Sequence, residues 1–154
     1  MRKCIKVFWC VTVFVLIIGL VSCESGKSAL QIAENVSENF GFKYGAVYSD
    51  EYDIISEFCL SSEMKKYILG ENAEKYTYIK SISGYFSRDM VSGDEFVIIE
   101  IYDRSYRAEI MAVLYRRAAM KLDTDTRVGC RGKFVFFVCG REARLISEYV
   151  KELI

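Results

Sequence analysis

The chain has 154 residues, 52% of them hydrophobic and 27% charged, with 21 basic residues set against 21 acidic ones. That is enough apolar material for one domain with a real core, and the balanced charge argues against a dedicated nucleic-acid binder. Histidine is absent, which excludes the commonest general base near neutral pH and every catalytic triad built on it.

Arg2, Lys3 and Lys6 make a positive flank, and residues 7–21 form an almost unbroken apolar run. A helix crossing the hydrocarbon core needs about 20 apolar residues. The run is short for that and has the length and flank of a secretory signal peptide. It stops at Leu20-Val21-Ser22-Cys23, which resembles the bacterial lipobox: a branched apolar residue, a tolerant position, a small residue and then cysteine. The resemblance implies cleavage before Cys23 and acylation of its thiol with palmitate-type chains. Two or three such chains hold a protein stably at about 0.8 kcal/mol per buried CH₂. An uncleaved signal anchor and an ordinary cleaved signal are the competing readings. The agreement of flank, core length and lipobox favours the lipoprotein, anchored to the cell membrane on its extracytoplasmic face. Residues 1–22 are then the signal peptide, 23–27 the lipidated cysteine with a short tether, and 28–154 a single domain.

From residue 23 onward the charge is 18 basic against 21 acidic residues, a net −3, and it is unevenly spread. Residues 23–103 carry a balance of −8 and residues 104–144 a balance of +6. Either the two halves neutralise each other within one fold, or the second half makes a basic face able to meet anionic lipid or wall polymer. Cys59, Cys130 and Cys139 remain once Cys4, Cys10 and Cys23 are set aside. Three inert thiols is the favoured reading; if any pair bridges, it is Cys130 with Cys139. Without histidine or a CxxC pair no metal site stands out, and no cofactor is expected.

In chain order, residues 24–27 form a tether that lets the domain stand only some 15 Å off a lipid surface. Ser28-Ala29-Leu30-Gln31 reads as a capping box, followed by Ile32, Ala33, Val36 and Phe40 at helical spacing and a stop at Gly41. Ser49 or Asp50 would open a short helix through Tyr52, Ile55 and Cys59. Ser61 or Ser62 would open another, carrying Met64, Tyr67 and Ile68 as far as Gly70. "YTYIKSISGYF" (76–86) and "EFVIIEIYD" (95–103) read as antiparallel strands joined by a long loop. "SYRAEIMAVLYRRAAMKL" is the clearest helix of the middle region, with Arg116, Arg117 and Lys121 complementing the helix dipole at its end. "KFVFFVCG" is apolar on both faces and belongs in a sheet interior. Leu145, Ile146, Tyr149, Val150 and Leu153 mark a closing helix. A strand–helix–strand step predicts a parallel crossover. The expectation is therefore α+β: a two-layer sandwich with a small mixed sheet of three to four strands and helices mainly on one face.

The lipobox, the first helix, "DEFVIIEIYD", "RAEIMAVLYRRA", "GKFVFFVCGRE" and the closing helix together resemble the bacterial lipoproteins containing domain of unknown function 4358. The resemblance covers most of residues 23–154 and implies an envelope location and this order of elements. It implies no activity.

Chemistry is sparse. Asp123-Thr124-Asp125 matches only the start of a calcium loop, because Arg127 stands where the next oxygen ligand belongs. Gly129-Cys130-Arg131-Gly132-Lys133 lacks P-loop spacing and precedes a strand, so it reads as a turn. Cys130 beside Arg131 is a weak case for a reactive thiol. Tyr76, Tyr78, Tyr85 and Phe86 cluster near one strand; packed they are core, exposed they would be a binding patch. Two functions follow. One is a tethered binding or interaction module whose partner is an envelope protein or wall component. The other is a small envelope enzyme using carboxylates or a thiol, which requires a pocket with convergent polar groups.

Overall fold

A computed structural model describes residues 26–88, 93–122 and 124–154. The apolar run, the lipobox with Cys23, and Asp123 lie outside the described residues.

Helix α1 (Ala29–Phe40) forms as its capping box predicts. The Ser28 hydroxyl accepts from the Gln31 N–H at 3.3 Å, and the Gln31 side chain accepts from the Ser28 N–H at 3.0 Å. The helix ends at Gly41 in the left-handed region (φ 62°), whose N–H meets the Glu38 and Ser37 carbonyls. Ala29, Ile32, Ala33 and Val36 form its fully buried stripe.

Strand β1 (Gly45–Ser49) follows, where no strand was expected. The short helix predicted through Tyr52, Ile55 and Cys59 does not form. Residues 50–58 make a loop closed at its base, with Ser49 N–H donating to the Phe58 carbonyl and Leu60 N–H donating to the Ser49 carbonyl, both at 3.0 Å. Ile54 and Ile55 at its tip are 91% and 92% exposed, while Tyr52 and Cys59 are half-buried, so the helical spacing there forms no buried stripe. Helix α2 (Ser62–Leu69) is capped by Ser61 and stops at Gly70, as expected. Then come β2 (Ile79–Ser87), β3 (Glu95–Ile101), α3 (Arg107–Ala119), β4 (Thr126–Arg131), β5 (Phe134–Cys139) and α4 (Ala143–Leu153). Strand β2 starts at Ile79, after a single 3-10 turn (Ala73–Lys75), rather than at Tyr76.

The domain is α+β, but the sheet has five strands in the order β1-β2-β3-β5-β4 and every neighbouring pair is antiparallel. The expected mixed sheet of three to four strands is corrected on both counts: β1 and β4 bring the count to five, and β4 changes the direction of β5. Strand β4 lies between α3 and β5 in the chain, so the crossover from β3 lands on β4. A hairpin turn at Gly132 (φ 57°) then reverses the chain into β5. One additional strand changes the parity, and β5 runs antiparallel to β3. The supposed turn over residues 129–133 is thus the end of β4 plus Gly132 and Lys133. Gly129 belongs to the strand because the Phe136 ring lies over it; a Cβ there would come within 2.4 Å of that ring.

Helices cover both faces, correcting the two-layer, one-face expectation. Strands β3 and β5 are buried at every position, so each needs cover above and below. Helices α1 and α4 close over Tyr85, Phe96, Ile98, Phe134, Phe136 and Val138. Helices α2 and α3 close over Ile82, Val97, Ile99, Ile101, Val135 and Phe137. Each fully buried large apolar side chain contributes about 1.5–3 kcal/mol.

The two ends of the sheet differ in what they carry. Helix α1 begins where the Leu30 N–H donates to Glu51, in the loop after β1. It runs to the opposite end, where Phe42 stacks on Tyr85 at 4.5 Å between centroids. Helix α3 runs the same way, from the end of β3 at Ile101 back to its start at Glu95, where Arg117 pairs with Glu95. The chain therefore reaches α1 at the Ile101 end, and the last turn of α3 lies at the Glu95 end.

Candidate functional site

The four aromatic candidates do not form one patch. Successive residues of a strand point to opposite faces, so Tyr85 is buried under α1 and α4, stacked with Phe42 and Phe96. Phe86 is half-buried on the other face against Tyr48 and Tyr67. Tyr76 and Tyr78 lie before β2, at the other end of the sheet. Tyr78 stacks flat on Tyr106, with ring centroids 3.9 Å apart, and touches Tyr76 edge-on. Burial, and after it the Glu109 carboxylate, holds the Tyr78 phenol above its ordinary pKa. These residues pack; they do not jointly face solvent.

The thiols are also separate. Cys59, Cys130 and Cys139 are all free. Cys130 stands opposite Val135 in the β4–β5 ladder, four residues along β5 from Cys139. At about 3.3 Å per residue that is roughly 13 Å, beyond the reach of a disulfide. Burial pushes the Cys139 thiol pKa up, which disfavours the thiolate a nucleophile needs. Among the described residues no group of three or more His, Cys, Asp or Glu could hold a metal ion.

What the structure does bring together is cationic. Arg117 turns inward from the last turns of α3 and is only 3% exposed at its side chain. Its Nε donates to Glu95 Oε1 at 2.7 Å, its Nη2 pairs with the same oxygen, and its Nη1 donates to the Tyr67 carbonyl at 2.5 Å. The other carboxylate oxygen of Glu95 takes Lys121 Nζ at 2.7 Å. The Tyr67 ring covers the guanidinium at 4.0 Å, a cation–π contact. Burial pushes the Lys121 pKa down, but the hydrogen bond and charge of Glu95 outweigh it, and the ammonium is held above its ordinary value. One carboxylate thus serves two cations, and a positive charge remains.

Above this cluster, α2 and α3 diverge around a recess of about 610 Å³. Four of its lining residues are cationic (Lys66, Arg116, Arg117 and Lys121) and none is acidic. Leu69, Val113 and Met120 supply apolar wall. Tyr67 and Met120 are 56% and 71% exposed there, and Leu122, just beyond, is 81% exposed. Glu63, one turn before Lys66 on α2, feels the Lys66 charge but does not line the recess.

Sequence reasoning placed Arg116, Arg117 and Lys121 only as partners of the helix dipole. The missed signal is spacing. Ile110, Leu114 and Arg117 fall at i, i+4, i+7, so Arg117 lies on the buried stripe and needs an acid. Glu95, heading the apolar stretch Phe96–Ile99 of β3, was that acid.

No family model matches the chain, no curated protein matches it and no solved structure matches it. The resemblance to the lipoprotein family therefore rests on the strand and helix pattern alone. Among the described residues, no helix is long and apolar enough to cross a membrane.

Proposed function

We propose that the protein is a lipid-anchored extracytoplasmic binding module, held to the membrane through Cys23 and presenting the α2–α3 recess to a ligand or partner in the cell envelope. The observation that carries this is the position of the recess. Its floor, where Arg117 and Lys121 meet Glu95, lies at the Glu95 end of the sheet, whereas the chain reaches α1 at the Ile101 end. A tether of a few residues would hold the Ile101 end near lipid and leave the recess turned away from it. Its volume falls within the range of about 300–1,000 Å³ that small-molecule sites occupy. The similarity to the lipoproteins of the unknown-function family agrees with this placement.

An envelope enzyme using a thiol or carboxylates draws less support. Cys139 is buried with its pKa raised, and the carboxylate at the recess is spent on two cations.

The test has two parts. Metabolic labelling with an alkyne fatty acid should tag the wild-type chain and not Cys23→Ala; equal labelling of both would remove the anchor. A photo-crosslinking amino acid at Met120, on the rim, should trap an envelope component that the same group at Arg144, 75% exposed on α4, does not. Identical products from the two positions would remove the binding site.

A further inference from the structure

We infer that the α2–α3 recess binds an anionic amphiphile, a phosphate, sulfate or carboxylate head carried on an apolar body. This rests on the binding function proposed above and adds the chemical class of what is bound. Charge is the first argument. The lining holds four cations and no acid, and the buried Glu95 beneath it neutralises one charge. Neither Lys66 nor Arg116 is in an ion pair among the described residues, so both are available to an incoming anion. Arg offers a planar fork of donors matched to oxyanions and Lys a point charge.

Surroundings are the second argument. A site for a bare anion would be polar throughout, but here Leu69, Val113, Met120 and the Tyr67 ring make the remaining wall. Met120 and Leu122 stand mostly exposed beside it, and flexible methionine is suited to an apolar group of variable shape. A head between Lys66 and Arg116 with a body laid along Met120 satisfies both halves of the recess.

Rigidity is the third. Arg117 is fixed by Glu95, the Tyr67 carbonyl and the Tyr67 ring. It therefore contributes a fixed positive field to the floor of the recess, with no side-chain ordering left to be lost on binding.

The probe is hexyl phosphate, water-soluble and short, added to the full-length chain purified from membranes and reconstituted in phosphatidylcholine nanodiscs. Methyl-labelled methionine makes Met120 the reporter, with Met111, elsewhere on α3, as internal reference. The expected result is a saturable shift of the Met120 methyl with hexyl phosphate, and none with hexyltrimethylammonium. Lys66→Gln with Arg116→Gln should weaken binding about tenfold or more, and Arg144→Gln should leave it unchanged. Equal binding of the cationic amphiphile, binding of inorganic phosphate as tight as hexyl phosphate, or indifference to the double substitution would each overturn the inference. If hexyl phosphate fails while the crosslinker at Met120 still captures a macromolecule, the ligand class is wrong and the binding module stands. If both fail, the two fall together.

Discussion

Under α1 and α4 the sheet face is aromatic: Tyr85, Phe96, Phe134 and Phe136 pack with Phe40, Phe42 and Tyr149 around them, and the one carboxylate on that side of β3, Glu100, reaches the half-exposed Lys80 at 2.8 Å. Under α2 and α3 the buried centre is β-branched, with Ile82, Val97, Ile99 and Val135 around the single ring of Phe137, and it also takes in a guanidinium, a carboxylate and a thiol at one end. A buried ion pair is a poor way to gain stability, since desolvation offsets much of the attraction and a well-packed apolar pair does as well or better. The pair enclosed on both sides lies under α2 and α3, whereas Glu100 on the other face pairs with a half-exposed Lys80; that difference suggests a division of labour. One face closes the core, and the other gives up packing to hold fixed charge beneath an open recess.

Adjacent residues of β3 test that division, because Glu95 and Phe96 point to opposite faces. Phe96→Ala removes a fully buried ring and should cost about 3–5 kcal/mol in urea unfolding. Glu95→Gln leaves Arg117 buried without its anion and should cost a similar amount, about 3–5 kcal/mol. The two losses should respond differently to a second change. Adding Arg117→Met to Glu95→Gln should recover most of the loss, because the stranded charge goes with it. No such partner rescues Phe96→Ala. If the Arg117→Met substitution deepens the loss instead, the pair stabilises the fold outright and the contrast between the faces disappears.

A smaller effect is expected at the start of α1. Ser28→Ala removes the side-chain half of the capping box and should cost about 1 kcal/mol, readable as a shift in the urea midpoint with an unchanged slope. Because α1 covers only the aromatic face, ligand binding at the recess should be untouched. A change in binding would mean that the two faces are coupled through the sheet.

How much of this was legible in the sequence differs from element to element, for physical reasons. Helix α1 could be read to the residue because its ends are chemical: a serine–glutamine box and a left-handed glycine. Strands β3 and β5 announced themselves by apolar runs. Both being buried on two faces already required helices above and below, which contradicted the two-layer expectation drawn from the same residues. Strands β1 and β4 were illegible because they are edge strands. Their outer sides need no apolar pattern, and glycines at 45 and 129 admit neighbouring rings. Missing β4 alone turned an antiparallel sheet into a mixed one. The recess was half legible: the cations were visible, but that Arg117 faces inward follows only from its register with Ile110 and Leu114. That α2 closes over it depends on long-range packing no local pattern encodes.

The mildest prediction concerns alkaline pH. Burial, and then the hydrogen bond to Glu34 on α1 at 2.9 Å, raises the Tyr52 phenol from 10.0 to about 12. On the other side of the sheet Glu95 holds the Lys121 ammonium above its ordinary value. In both cases the folded state binds the proton more tightly than the unfolded chain, so the contribution is complete below pH about 10 and is lost as pH rises through the folded-state value. Stability should be flat from neutral pH to about 9, where the unfolded Cys139 thiol begins to ionise, and fall more steeply above about 10. At neutral pH Tyr52→Phe should change stability by no more than about 1 kcal/mol, while above pH 10 its loss should be shallower than that of the wild type. Lys121→Met should flatten it further, and what is left belongs to Tyr78, Tyr85, Lys80 and Cys139, whose pKa values are also raised in the fold. If Tyr52→Phe alone abolished the alkaline loss, the ammonium at Glu95 would not be coupled to folding. The charge beneath the recess would then be an accessory of the surface and not part of the core.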